Sequence, residues 1–91
     1  MISENELEII GEWIFDGQRM HADDNCKRIH ALTSLYLERI ARDENGWDVL
    51  YQDPADKRYW EYTYPNKDMQ GDGPPALIVI SEYKARKKYS W

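Results

Sequence analysis

GWDVLYQDPADKRYWEYTYPNKDMQGDGPPAL, residues 46–77, is the stretch that decides the fold. Trp47 to Gln52 has the aromatic and branched composition of a strand, and DPADK follows as a turn in which Pro54 fixes φ at the second position. Arg58 to Tyr64 is the next strand. Its alternation separates Arg58, Trp60, Tyr62 and Tyr64 from Tyr59, Glu61 and Thr63, so the first set, which carries most of the aromatic area, is expected to face inward. Residues 65–75, rich in Pro, Gly and polar side chains, form a loop. Ala76 to Ile80 is a continuous apolar run without alternation, which predicts a strand covered on both faces or central in the sheet. Ser81 can then cap a short basic helix, EYKARKKY.

Working back from this stretch, Asn45-Gly46 is a plausible helix stop, and Asp23 and Asp24 are good start residues because carboxylates accept the unpaired N–H groups of a first turn. Between them a helix is expected over about 24–42. A step of 100° per residue places Cys26, Ile29, Leu32, Thr33, Tyr36, Leu37 and Ile40 on one stripe, with Lys27, Arg28, Ser34, Glu38, Arg39 and Arg42 outside it and Leu35 well off its centre. Arg39 and Arg42 would then lie near the helix C-terminus. Further upstream, GEWIFD predicts a strand, Asp16-Gly17 a tight hairpin turn, and Gln18 to His21 the returning strand. Ser3 and Glu6 have capping-box spacing, so a short N-terminal helix or turn ending at Gly11 is expected. The order ββαβββα implies an α+β fold: a largely antiparallel sheet of about five strands, one long helix packed on a face and a short C-terminal helix.

Ninety-one residues suit one domain spanning 1–91 with one core. A content of 42% hydrophobic and 13% aromatic residues excludes a disordered chain, and the four Trp and seven Tyr are expected to anchor that core. Cys26 is the single cysteine, so no intrachain disulfide forms and a reducing cytoplasm is the expected location. No stretch has the length or apolarity of a signal peptide or membrane span. The net charge of −5 disfavours general nucleic-acid binding, which draws its affinity from Lys and Arg on phosphates. Charge is unevenly spread: residues 1–25 hold seven acids against one base, whereas residues 76–91 hold four bases against one acid. A basic partner is favoured over an acidic one.

The segment 46–77, together with ADDNCKRI and SEYKARKKY, resembles the immunity protein 27 family of bacterial polymorphic toxin systems, and the resemblance runs from about Gly11 to Tyr89. It implies a protein that binds one cognate toxin domain, neutralises it and spares the cell that makes it. The resemblance supplies no catalytic residues and no toxin-contacting positions, so contact candidates come from periodicity and turn context. These are Leu35, Asp53, Asp56, Tyr59, Glu61, Asp68 and Asp72, all expected at the surface. Should the toxin be a nuclease with a basic cleft, acids such as Asp48, Asp53, Asp56, Glu61, Asp68 and Asp72 would stand where phosphates normally bind.

Two other readings compete. His21, Asp23, Cys26 and His30 form the one metal-like group, with Cys26 and His30 at i and i+4, and would serve a small enzyme or metal-binding protein. A zinc site closes with well-placed N and S ligands, whereas here one ligand is a carboxylate already committed to a helix cap, so a core thiol and a boundary histidine explain the residues better. A regulatory adaptor without a toxin is the other alternative. Gly71-Asp72-Gly73 lacks the strand-then-helix context of a phosphate loop. No nucleophile-and-base pairing is visible, so neither catalysis nor a cofactor is expected.

Overall fold

The computed structural model describes all residues except 1, 4, 16, 19, 45, 47, 65–73 and 90, together with the backbone but not the side chains of residues 15 and 20–22. Described strands are β1 (Glu8–Ile10), β2 (Trp13–Phe15), β3 (Met20–Ala22), β4 (Glu38–Arg42), β5 (Val49–Gln52), β6 (Tyr59–Thr63) and β7 (Ala76–Ile80). The helices are α1 (Asp24–Leu35) and α2 (Glu82–Lys88). Five strands form an antiparallel sheet in the order β1-β7-β6-β5-β4, and β2 and β3 form a separate two-stranded ribbon. The fold is α+β, with the long helix and the short C-terminal helix as expected. No helix among the described residues is long and apolar enough to cross a membrane.

Register explains how both helices find apolar surface. Trp60 of β6 lies opposite Tyr51 of β5 and Val79 of β7, and these point to the face that receives Ile29 and Leu32 of α1, with Ile9, Leu37 and Leu77 completing the cluster. The other face carries Leu50, which packs with Ala85 and Tyr89 from the α2 segment and is flanked by Ile40, Ala41, Tyr59 and Ile80. A central strand covered on both sides has no polar face to alternate, which is why Ala76–Ile80 reads as an unbroken apolar run. β7 is hydrogen-bonded to a strand on each side.

Two elements depart from the sequence reading. The helix ends at Leu35, not near residue 42: Tyr36 and Leu37 both donate backbone N–H groups to Leu32 O, at 3.1 and 2.8 Å, and Glu38–Arg42 then pairs with β5. Leu-Glu-Arg-Ile-Ala-Arg has good helix propensity, but pairing with β5 gives its backbone a ladder and its Ile40 and Ala41 an apolar neighbour, and that long-range pairing overrides a local preference of tenths of a kcal/mol per residue. Arg39 and Arg42 therefore sit exposed on an edge strand, not at a helix terminus. At the N-terminus the structure has a turn followed by a strand. Glu6 N donates to Ser3 O and Ser3 N donates to Glu6 Oε1 at 2.8 Å, one half of the capping-box geometry, but residues 8–10 pair with β7. The five-membered sheet thus contains two strands, β1 and β4, that periodicity assigns to helix or turn, while the hairpin expected in the sheet stands beside it.

Local chemistry places the other boundaries as expected. Asp23 Oδ1 accepts from Cys26 N at 2.8 Å to cap α1, and Ser81 Oγ accepts from Lys84 N at 3.2 Å to cap α2. Gly11 is required by close approach: a Cβ there would stand 2.5 Å from Cys26 Sγ and 2.7 Å from Pro75 O. Gly46, expected to help stop the long helix, instead lies in the connection between β4 and β5, where its N–H donates to Asp43 O at 3.1 Å. Asp16 of the expected Asp16-Gly17 hairpin turn, Asn45 and Trp47 lie outside the described residues; Gly17 and Gly46 both have positive φ.

Candidate functional site

The expected contact residues divide sharply once the side chains are placed. Leu35, the last residue of α1, is 87% exposed as the chain turns away towards β4 just after it. Asp53 is a correction: it is 1% exposed, not at the surface. Its Oδ1 accepts from Tyr36 O–H at 2.7 Å and from Ala55 N at 2.8 Å. The Asp-Pro turn is therefore a buried joint that ties the β5–β6 connection to the end of α1, and the hydrogen bond to Asp53 raises the Tyr36 pKa.

Asp56 is exposed but engaged. It accepts from Arg58 N at 3.0 Å and from Arg58 Nε at 2.6 Å, while the same guanidinium donates to Glu6 O at 2.7 Å and Ser3 O at 3.0 Å. Arg58 so clamps the N-terminal turn onto the start of β6. Arg28 completes that clamp with a two-pronged contact to Glu6 at 2.6 and 2.7 Å, and this hydrogen bonding holds the Glu6 carboxyl at a pKa of about 2.

Tyr59, Glu61 and Thr63 share the face of β6 that α2 covers. Tyr59 is half-buried with its ring 5.6 Å from that of Trp91. Glu61 Oε2 accepts from Lys88 Nζ at 2.7 Å and from Tyr89 O–H at 2.8 Å. The same Lys88 Nζ donates to Asp48 Oδ2 at 2.7 Å, and Asp48 Oδ1 accepts from Thr63 Oγ1 at 2.6 Å. Lys88 bridges two carboxylates and pins α2 to the sheet. Burial alone would lower its pKa, but the hydrogen bonds to Asp48 and Glu61 raise it; burial and the Glu61 carboxylate push the Tyr89 phenol up as well. Replacement of Glu61 or Asp53 therefore disturbs the scaffold, contrary to the expectation that both lie at the surface. Asp68 and Asp72, with the Gly71-Asp72-Gly73 loop, lie outside the described residues.

Of the metal-like group, Asp23 caps α1, Cys26 is buried with its thiol donating to Glu12 O at 3.5 Å, and His30 is exposed. Burial, with Asp23 nearby, pushes the Cys26 thiol up and away from thiolate chemistry. The His21 side chain lies outside the described residues, and no metal-holding group of three or more such side chains is present among those described.

Sequence reasoning missed the partners that absorb the acids. Lys88 and Tyr36 are far from Glu61 and Asp53 along the chain, so no local spacing signals the pairing. It also passed over Trp13 and Ile14: neighbours on a strand point to opposite faces, and a two-stranded ribbon leaves both in need of cover.

Comparison with known protein families gives a match to the family model for Immunity protein 27 over residues 15–81. The chain belongs to the immunity protein 27 family. That range takes in α1, the Asp-Pro joint, strands β3 to β7 and Ser81, the cap of α2, and membership indicates an immunity protein with a toxin as its partner. No curated protein and no solved structure matches the chain.

Proposed function

We propose that this immunity protein acts in the cytoplasm as the antidote of a polymorphic toxin system used in contact-dependent competition, binding its cognate toxin domain one to one and occluding it. Family membership carries the reading. The charge distribution supports a toxin with a basic face, such as a nuclease, because the N-terminal segment is strongly acidic and complementary charge speeds encounter and excludes wrong partners. Among the residues first expected at the interface, Leu35 and Asp56 remain accessible to a partner, while Tyr59 and Glu61 reach it only at the margin of α2. Rigid docking suits such a scaffold, since both faces of the sheet are already packed.

The test is direct. A toxin domain is sought in the gene immediately before this one, where the antitoxin reading expects it, and titrated with purified protein; residual toxin activity, complex stoichiometry and association rate are measured at low and high salt. Stoichiometric loss of activity with an association rate that falls as salt rises is expected. Full toxin activity at saturating immunity protein refutes the proposal, and a salt-independent rate refutes the basic face.

A further inference from the structure

Two large aromatic rings stand open to solvent on and just after α2: Tyr83 is 68% exposed and Trp91 43%. Ala85 and Tyr89 are buried against Leu50, which fixes the inward side of the helix. At about 100° per residue, Tyr83 and Lys87 lie two positions either side of Ala85 and point away from the sheet, with Lys84 and Arg86 on the flanks. Ring contacts join these side chains into one surface. Lys87 Nζ stands 4.8 Å from the Tyr83 ring centroid, Arg86 Cζ 4.2 Å from that of Trp91, and the Trp91 ring 5.6 Å from that of Tyr59 on β6. Tyr83 and Arg86, three residues apart on a helix, are neighbours and close the gap between the two stacks.

Charge on this surface has one sign. Lys84, Arg86 and Lys87 are exposed, and Lys84 and Lys87 are in no ion pair with a described residue. The one acid of α2, Glu82, is engaged by Arg86 at 3.4 Å, and the carboxylates beneath the helix, Asp48 and Glu61, are held by Lys88. An arginine stacked on a tryptophan is held flat and keeps N–H edges for a planar carboxylate. Tryptophan, tyrosine and arginine are also the side chains most enriched among residues that dominate binding energy. The complement of such a surface is an apolar patch of a protein fringed by Asp and Glu. Nucleic acid fits less well, because the net charge of −5 repels the remainder of a polyanion.

We infer that the outer side of α2 is the toxin-docking surface, with Tyr83 and Trp91 as aromatic anchors and Lys84, Arg86 and Lys87 as the cations that meet carboxylates of the toxin domain. The inference rests on the antitoxin reading and adds the face to it. It is a statement about contact: the net negative charge draws a basic toxin from a distance, whereas the groups that touch are decided locally. The surface is preorganised, since Lys88, Ala85 and Tyr89 pin the inward side of the helix to the sheet. Tyr59, one of the contacts expected from sequence, joins it at the edge through Trp91.

The experiment measures affinity of the same toxin domain for the parent and for Tyr83→Ala, Trp91→Ala, Lys87→Glu and Arg39→Glu, each beside its melting curve. Tyr83→Ala and Trp91→Ala are expected to weaken binding at least about tenfold. Lys87→Glu should weaken it by a similar factor, because it sets a carboxylate against carboxylates. Arg39→Glu makes the same change in total charge from the other face of the sheet, where Arg39 lies opposite Tyr51, and should bind as the parent does. Tyr83→Ala and Lys87→Glu keep the test decisive should Trp91→Ala loosen the ring contact to Tyr59. Parental affinity in all three α2-surface variants, tighter binding by Lys87→Glu, or an equal loss in Arg39→Glu overturns the inference while leaving the antitoxin reading standing; failure of the parent itself to bind sinks both. A fluorescent single-stranded RNA oligonucleotide tests the other occupant: RNA binding by the parent that Tyr83→Ala and Lys87→Glu abolish, with toxin affinity intact, also overturns it.

Discussion

Replacing Lys88 by Met isolates the joint that holds α2. Met keeps most of the apolar stem and removes the ammonium, so the change deletes the 2.7 Å contacts to Asp48 and Glu61 with little loss of packing. The Lys88 side chain is 41% exposed while those of Asp48 and Glu61 are 6% and 15% exposed, so the triad lies between a solvated pair and a buried one. A solvated pair contributes about 0.2–1 kcal/mol and removal of one member of a buried pair costs about 3–5 kcal/mol. Thr63 and Tyr89 still donate to the two carboxylates after the change, and water can reach part of the gap. A loss of about 2 kcal/mol follows, equivalent to a fall in Tm of about 8–16 °C for a domain of this size. Thermal melts followed by circular dichroism measure it, and amide exchange locates it: protection should drop first in α2, while α1 keeps its own. The variant carrying Lys88→Met with Asp48→Asn should lose less than the sum of the two single changes, because each removes the same contact. A melting temperature within about 2 °C of the parent would refute the reasoning, since even 1 kcal/mol shifts Tm by about 4–8 °C.

Alkali should undo the same joint: Lys88 and Tyr89 both have raised pKa values in the folded protein, so their stabilisation is present below the ordinary values of 10.5 and 10.0 and is lost as pH rises past them, which a tyrosinate absorbance titration beside stability curves will show. At the acid side Glu6 works in the opposite sense. Its lowered pKa means that the Arg28 contact stabilises fully above the ordinary 4.5 and is lost as pH falls towards about 2, a loss that Glu6→Gln should remove from the acid limb of the stability profile. Asp53→Ala deletes the acceptor of two hydrogen bonds in a buried joint and should cost about 2–4 kcal/mol in denaturant melts, a result at parental stability being inconsistent with the joint. Gly11→Ala forces a methyl group against a thiol and a carbonyl, and should cost about 1–3 kcal/mol, whereas Gly17→Ala meets no atom within 4 Å and would be limited to the strain of its positive φ.

Strands whose signal is carried by their own residues were legible. Alternation around Trp60, the unbroken run before Ser81 and the Asp23 and Ser81 caps all name an element without reference to distant chain, and the structure has each of them. The segment 36–42 was not legible, because its side chains continue a helical stripe while its backbone is claimed by β5, and a strand partner seven or more residues away leaves no mark on local periodicity. β1 was hidden in the same way by its pairing with β7. Acidic side chains posed the harder problem for the site. Asp53 and Asp56 look alike in sequence, yet one is buried under Tyr36 and the other lies exposed with Arg58, a difference decided by where α1 stops.

Pairing of β1 with β7 also sets a schedule for the nascent chain. β1 leaves the ribosome before every other described strand and β7 after all of them, yet the two are neighbours, with Glu8 opposite Ile78 and Ile10 opposite Ala76. Until residues 76–80 emerge, Ile9 has no Leu77 to meet, β6 has no second neighbour and α1 has only part of its floor. Contacts of such long sequence separation form late. A chain built this way closes its sheet only when synthesis has passed residues 76–80, so a product truncated before them lacks the partner of β1 and part of the surface that α1 packs on.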